Sequence, residues 1–308
     1  MGRDAAAKSP ASEGKSGQGE CTPIAGEVKG DQIILPLQKR SGFVQPQSIY
    51  GKEMRIEVLG CSGAAFPGHH PPGFLVGGTF LLDAGTLASV LSEKKQRRVR
   101  RIFITHAHMD HIREIPFLAD NIIIGGGKHR MNIFSISPVI KAIKNNLLNS
   151  KLWPDMTVLP NVHDAVVRLI PIQAEKPLPV GGYTITPYRV NHSVPAVGYL
   201  VENQKKRRFF YTGDTGPTDG TWRRLGEKHI HCLIIEVSFP NHMGDIAITT
   251  GHLTPFLLKR ELSKIKIMPE RIYITHLKPQ FYKTIKKELQ SLKVINLTLL
   301  KEGDVIQV

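Results

Sequence analysis

Seven residues, Thr105-His106-Ala107-His108-Met109-Asp110-His111, restrict the fold of this chain more than any other stretch. They follow an apolar, β-type run at residues 101–105. In extended backbone, side chains two apart project to the same side, so His106 and His108 can grip one ion together. Asp110 and His111 come where the chain turns into a helical pattern near residue 112, and they can swing to a second ion beside the first. On the order of one chain in a thousand of this composition would carry such a run by accident. Two ions need more ligands than one loop supplies, so the chain must return to this loop from elsewhere.

Candidates for those returns recur in one arrangement. His192 follows a β-type run at 183–190, Asp214 follows one at 208–212 within Thr212-Gly213-Asp214-Thr215-Gly216, and His276 follows one at 271–275. Glycines beside Asp214 let the backbone approach closely. His252, in Gly251-His252-Leu253-Thr254, precedes a helix with Pro255 in its first turn. Each histidine alone reads equally well as an ordinary loop residue; the repetition of strand followed by ligand does not. In open α/β sheets, ligands gather where strands end.

Further β-type runs lie at 54–59, 73–82 and 230–237, and helical patterns at 86–94, 112–121, 137–148, 255–264 and 280–292. This order predicts a mixed α/β architecture with two sheets between helices. A chain of 308 residues that is 41% hydrophobic can bury the core this requires. Residues 1–20 hold almost no large apolar side chain; a disordered tail is expected over residues 1–30, followed by a single catalytic domain over 31–308. Neither a signal-peptide core nor an apolar run of roughly 20 residues is found, so the expectation is a cytoplasmic protein with no membrane contact. Cys21, Cys61 and Cys232 form neither a disulfide framework nor a CxxC site.

The formal charge of +15 favours an anionic partner. Much of it sits in two runs: Lys94, Lys95, Arg97, Arg98, Arg100 and Arg101, then Lys205, Lys206, Arg207 and Arg208. Each precedes an apolar segment and reads first as a solvated connector, with a nucleic-acid-binding face as the alternative.

Together, THAHMDH, NHSVPAVGY, TGDTG and ITHLKP resemble the metallo-β-lactamase superfamily from about residue 53 onward. The resemblance implies an α/β fold, the αββα four-layer sandwich, with a dinuclear centre at one edge. On its pattern His106, His108 and His192 bind the first metal, Asp110, His111 and His276 the second, and Asp214 bridges them. The implied cofactors are two divalent ions; zinc suits these donors best, and manganese or iron would also suit them. Asp83, in Phe80-Leu81-Leu82-Asp83-Ala84-Gly85, looks like the family's buried structural aspartate rather than a ligand.

Residues 146–157, 235–241 and 251–255 are similar to the class II cyclic-nucleotide phosphodiesterases. That likeness implies opening of a 3′,5′-cyclic nucleotide, cyclic AMP or cyclic GMP, to its 5′-monophosphate by a metal-activated hydroxide. His252 would protonate the leaving oxygen or hold a phosphate oxygen, and Asp110 would serve catalysis as well as metal binding. His242 and Asp245 are candidate substrate contacts. Two departures from the group's signature are Met109, where it has Leu, and Glu114, where it has a small residue. Glu114 is expected to alter how closely the helix start packs on the metals.

The alternative within the superfamily is the tRNA 3′-processing ribonuclease Z group, which the basic charge favours. That group clamps tRNA with a long arm, in many members inserted before the bridging Asp. Here His192 and Asp214 are only 22 residues apart. A small anionic phosphodiester is therefore the expected partner, nucleic acid the second choice, and a homo-oligomer compatible with either. A non-catalytic binding module is the third reading, opposed by the complete ligand set. His69 and His70 read as a Pro/Gly loop; His129, His163, His229, His231 and Trp153 read as surface or packing residues.

Overall fold

Several strands of this chain bury both faces, and that burial dictates the layering. The computed structural model describes residues 54–126 and 129–308. The expected tail over 1–30 and the domain boundary at 31 lie outside the described residues. Six strands open the fold: β1 (Arg55–Gly60), β2 (Gly73–Val76), β3 (Phe80–Leu82), β4 (Arg101–Phe103), β5 (Met131–Ile136) and β6 (Val167–Ile172). Seven more build a second sheet: β7 (Leu178–Val180), β8 (Tyr183–Arg189), β9 (Val197–Asn203), β10 (Arg208–Tyr211), β11 (Cys232–Glu236), β12 (Arg271–Thr275) and β13 (Leu297–Leu299). The last, β14 (Val305–Gln307), returns to pair with β1, so the first sheet runs β14-β1-β2-β3-β4-β5-β6. The second runs β13-β12-β11-β10-β9-β8-β7.

Alternation along the strands makes the four layers. Phe209 and Tyr211 of β10 join the core between the sheets with Phe74, Phe103 and Tyr199, whereas Phe210 faces the other way and packs with Trp222, Leu257, Leu258 and Ile285 from the outer helices. Phe74 and Tyr211 meet across the sheets with ring centroids 4.9 Å apart. Burying each such side chain contributes about 1.5–3 kcal/mol. On the outer face of the first sheet, the helices Ile115–Ile124 and Ser137–Ala142 supply Leu118, Ile122, Val139 and Ile140 to the core.

Direction matters most for function. Strands β3 to β6 are mutually parallel, as are β10 to β13, and β8 runs with β10 because both pair antiparallel with β9. The C-terminal ends of β4, β8, β10, β11 and β12 therefore meet along one edge of the sandwich. The sheets are bonded there: Val197 donates its N–H to Thr105 O at 3.0 Å, and the Tyr199 hydroxyl donates to Ile104 O at 2.7 Å.

Several local expectations are corrected. Residues 73–82 are not one run but a hairpin, turned by Gly77 and Gly78 at φ 56° and 66°. The helix expected at 86–94 shrinks to Glu93–Gln96. The cause is Glu114: its buried carboxylate accepts the N–H groups of Leu87, Ala88 and Ser89 at 2.5, 2.6 and 3.2 Å, holding them in a turn. Glu114 thus spends its charge on this turn, not on the metal loop. Glu114→Ala is expected to lower the unfolding free energy by about 2 kcal/mol in a urea titration while leaving metal content unchanged. The helical pattern at 137–148 continues past Ala142 as a π-turn over Ile143–Leu147. No helix of the described residues is long and apolar enough to cross a membrane.

Candidate metal centre

The metal loop begins where β4 stops. The chain bends at Thr105; Thr105 and His106 are fully buried, and His108 stands at the start of the short helix Met109–Ile112 that carries Asp110 and His111. Three returns reach this loop from the second sheet, after β8, β10 and β12, with His192, Asp214 and His276. Seven side chains form two overlapping groups that could each hold a metal ion: His106, His108, His192 and Asp214, and Asp110, His111, Asp214 and His276. Within each group the ligand atoms lie within 4.8 Å of one another. Asp214 belongs to both.

The first group is drawn tight around lone pairs. His108 Nδ1 stands 3.0 Å from His106 Nε2 and 3.2 Å from His192 Nε2, and Asp214 Oδ2 is 3.6 Å from His106 Nε2. Burial holds all three imidazoles below their ordinary value, so they are neutral bases. Tautomers are set from behind. His192 Nδ1 must donate to the carbonyl of Gly251 at 2.8 Å, which leaves the Nε2 lone pair free for a cation.

In the second group, Asp214 Oδ2 lies 3.4 Å from both His111 Nε2 and His276 Nε2, and Asp110 Oδ2 lies 3.2 Å from His276 Nε2. Burial opposes a charge on Asp214, yet His276, His111 and His106 outweigh it and hold the carboxyl well below the usual range. The converse holds at His111: burial disfavours its charge, but Asp214, Asp83 and Asp110 raise it well above the ordinary value. A divalent cation at Nε2 satisfies the same field without the proton. This nitrogen is buried and has no hydrogen-bond partner among the described residues, as an open ligand position requires. Donor chemistry, lone-pair direction and this orphan nitrogen all fit a pair of divalent ions.

Behind the candidate ligands sits Asp83, fully buried, with φ 58°. It accepts from the Thr105 N–H at 2.8 Å, the Tyr211 hydroxyl at 2.7 Å and His111 Nδ1 at 2.8 Å. It orients a ligand and ties the two sheets together. His276 also has a left-handed backbone, φ 65°, costly for a residue with a Cβ and characteristic of functional sites. Gly213, at φ 59°, would put a Cβ 2.8 Å from the Thr105 side chain, so only glycine lets Asp214 reach its place.

Beside the ligands lies a dyad. Glu236, at the buried end of β11, places Oε1 2.7 Å from His252 Nδ1. Its other oxygen accepts from Ser238 Oγ at 2.9 Å, and Ser238 Oγ is 2.9 Å from His276 Nδ1. Burial disfavours a charged His252, but Glu236 outweighs it and raises the imidazole above its ordinary value. The His252 ring stacks 5.5 Å from His276 and stands 5.1 Å from His192, at the margin of the two metal groups.

Residues 79–277 match the β-lactamase superfamily domain. The chain belongs to the β-lactamase superfamily. Its fold is that of the metallo-β-lactamases: YhfI from Bacillus subtilis, a metallo-β-lactamase fold protein, superposes with a TM-score of 0.67 at 20% identity, over 83% of this chain and 100% of that one. Yeast PDE1 superposes with a TM-score of 0.72 at 16% identity, over 83% of this chain and 99% of that one. Among curated relatives, a probable 3′,5′-cyclic-nucleotide phosphodiesterase of Yersinia pestis is 28% identical over 68% of this chain and 68% of its own length. A ribonuclease Z of Methanococcus maripaludis is 31% identical over 50% of this chain, and the match spans about half of that protein, 51%. This superfamily member is thus related to two kinds of hydrolase.

The remaining predicted residues fall as follows. His242 lies on the 3₁₀ turn Asn241–Met243 and Asp245 on the helix Gly244–Thr250; both are exposed, and neither joins a metal group. His70 pairs with Glu302 at 2.6 Å, and Trp153 packs edge-on against Phe117. Two further groups among the described residues have ligand spacing: Glu236, His252 and His276 at the dyad, and Glu270 with His229 and His231, both read as packing residues. In the latter, however, His231 Nδ1 accepts the Arg208 N–H, which puts its proton on Nε2, the atom nearer Glu270. Glu236 and Ser238 escaped the sequence reading. Their signals are a carboxylate ending the apolar run of β11 and their place within residues 235–241, which resemble the phosphodiesterases as a segment.

Proposed function

We propose that this superfamily member is a metal-dependent phosphodiesterase that opens 3′,5′-cyclic nucleotides to 5′-monophosphates. The observation that carries it is the Glu236–His252 dyad set against two ligand groups that share Asp214. Divalent ions held there, zinc by preference, would lower the pKa of a shared water and polarise the phosphoryl oxygens. His106, His108 and His192 would hold one, Asp110, His111 and His276 the other, with Asp214 common to both. Against two dications these donors offer two carboxylate charges, leaving an excess of two positive charges that suits an anionic diester.

The protein side of the reaction is proton handling. Asp110, whose side chain is 30% exposed, is the carboxylate on the open side and would accept the proton of the attacking water. As that water bonds to phosphorus, the bond to the 3′-oxygen breaks, and His252 would deliver its proton to the departing oxygen. Glu236 fixes the His252 ring through Nδ1, so Nε2 is the end that donates. His242 and Asp245 are proposed to contact substrate from the exposed helix beside the site.

A compact connection supports the small substrate over tRNA. The residues between His192 and Asp214 are taken up by the hairpin β9–β10, with no inserted arm. The ribonuclease Z reading stands second, favoured by the charge of +15 and by relatives of that name. The deciding assay compares cyclic AMP, cyclic GMP and a precursor tRNA as substrates for the metal-loaded protein. Turnover of a cyclic nucleotide to its 5′-monophosphate is expected. Cleavage of the precursor tRNA with no such turnover would establish the second reading. A protein free of zinc, iron and manganese that leaves bis(p-nitrophenyl) phosphate intact would be a binding module.

A further inference from the structure

At the end of the first sheet opposite the metal centre, two adjoining cavities carry charge that the proposed reaction does not use. One, of about 920 Å³, is lined by Arg100, Arg101, His129, Arg130 and Asp164. The other, of about 400 Å³, is lined by Arg130, Lys141, Lys144 and Arg168. Arg130 stands between them. Together the linings hold six cationic side chains and a single carboxylate, Asp164.

Strand register organises this charge. Arg101 of β4 is paired with Asn132 of β5, and Asn132 with Arg168 of β6, so the three stand abreast across adjacent strands. With roughly 4.8 Å between strands, the two arginine Cα atoms are about 10 Å apart. Arg130 approaches Asp164 only to 3.9 Å, and Lys144 pairs with Asp155. Arg100, Arg101, Lys141 and Arg168 have no ion-pair partner among the described residues. His129 Nε2 is shielded from solvent and likewise finds no partner among them. Burial, with Arg100 and Arg97 close by, holds that imidazole below its ordinary value, a second sign of dense positive charge.

A small anion would need one of these cavities. A row of cations running through both suits a ligand with many phosphates in series, and the guanidinium fork matches phosphate oxygens in pairs. We propose that this face, from Arg100 and Arg101 across Arg130 to Arg168, binds the phosphate backbone of a nucleic acid. It is a surface separate from the metal centre, and it does not depend on which diester that centre cleaves.

The test is fluorescence anisotropy of a labelled RNA of about 30 nucleotides, and of DNA of the same sequence, with the metal-loaded full chain between about 50 and 200 mM salt. The triple variant Arg100→Glu, Arg101→Glu, Arg168→Glu is expected to bind at least about tenfold more weakly, with the log–log salt slope reduced by about 2–3. Whichever polymer shows this loss is the ligand source. Unchanged hydrolysis of bis(p-nitrophenyl) phosphate shows that the variant is folded. If that activity falls, the single variants Arg100→Gln and Arg168→Gln replace it, each expected to reduce the slope by about 1. Wild-type affinity in these variants overturns the proposal. So does a site that takes ATP or inorganic phosphate, in a manner lost with the arginines, while neither polymer binds.

Discussion

Asp214→Ala is expected to abolish hydrolysis and to leave the protein unable to retain two ions. Among the seven candidate ligands it alone belongs to both groups, with Oδ2 at 3.4–3.6 Å from His106, His111 and His276. Removing it would take one ligand from each proposed ion and half of the carboxylate charge of the two groups. The rate should fall at least about a thousandfold, equivalent to about 4 kcal/mol of lost transition-state stabilisation. Metal analysis beside turnover of bis(p-nitrophenyl) phosphate makes the check. Two ions per chain with near-normal turnover in the variant would mean that Asp214 bridges nothing. His108→Ala should fail in the same way, through the first ion.

The second large effect concerns His252, and it separates by leaving group. His252→Ala should retain both ions yet hydrolyse a cyclic nucleotide about a hundredfold more slowly, because the 3′-oxygen departs poorly without a proton. With bis(p-nitrophenyl) phosphate the loss should be far smaller, since p-nitrophenolate leaves without one. Glu236→Gln should show a weaker version of the same contrast, on the order of tenfold, because it only holds the ring. Equal losses on both substrates would assign His252 to phosphate binding. Loss of metal would make it a ligand instead, a role that its Nε2 also permits.

The local parts of this candidate centre are legible in the sequence. His106, His108, Asp110 and His111 are crowded into one loop, and alternation along an extended chain already tells which pair acts together. His192, Asp214 and His276 were legible through position, each directly after an apolar run. Glu236 was not, because its meaning depends on a contact with His252 created by packing β11 against the loop before Pro255. Nor was the role of Glu114. As a departure from a small residue it suggests altered packing at the metals, whereas its partners, the N–H groups of residues 87–89, are brought to it from more than twenty positions away. Strands β5, β6, β7, β9, β13 and β14 are not among the runs read from the sequence, and for β5 and β6 the reason is related. Asn132 and Ser135 break the apolar run of the one and Pro171 that of the other, and both are held in place by neighbours rather than by their own composition.

Asp83 adds a mechanical consequence. It accepts hydrogen bonds from Thr105 of one half of the sandwich and Tyr211 of the other, directly beneath ligands that are themselves divided between the halves. Bound cations would work there as a rivet through a seam. Resistance to heat should then track free metal concentration, since whatever binds only the closed form adds RT ln(1 + [L]/Kd) to its stability. Starving the protein of metal would therefore loosen the join between its two halves as well as silence its chemistry.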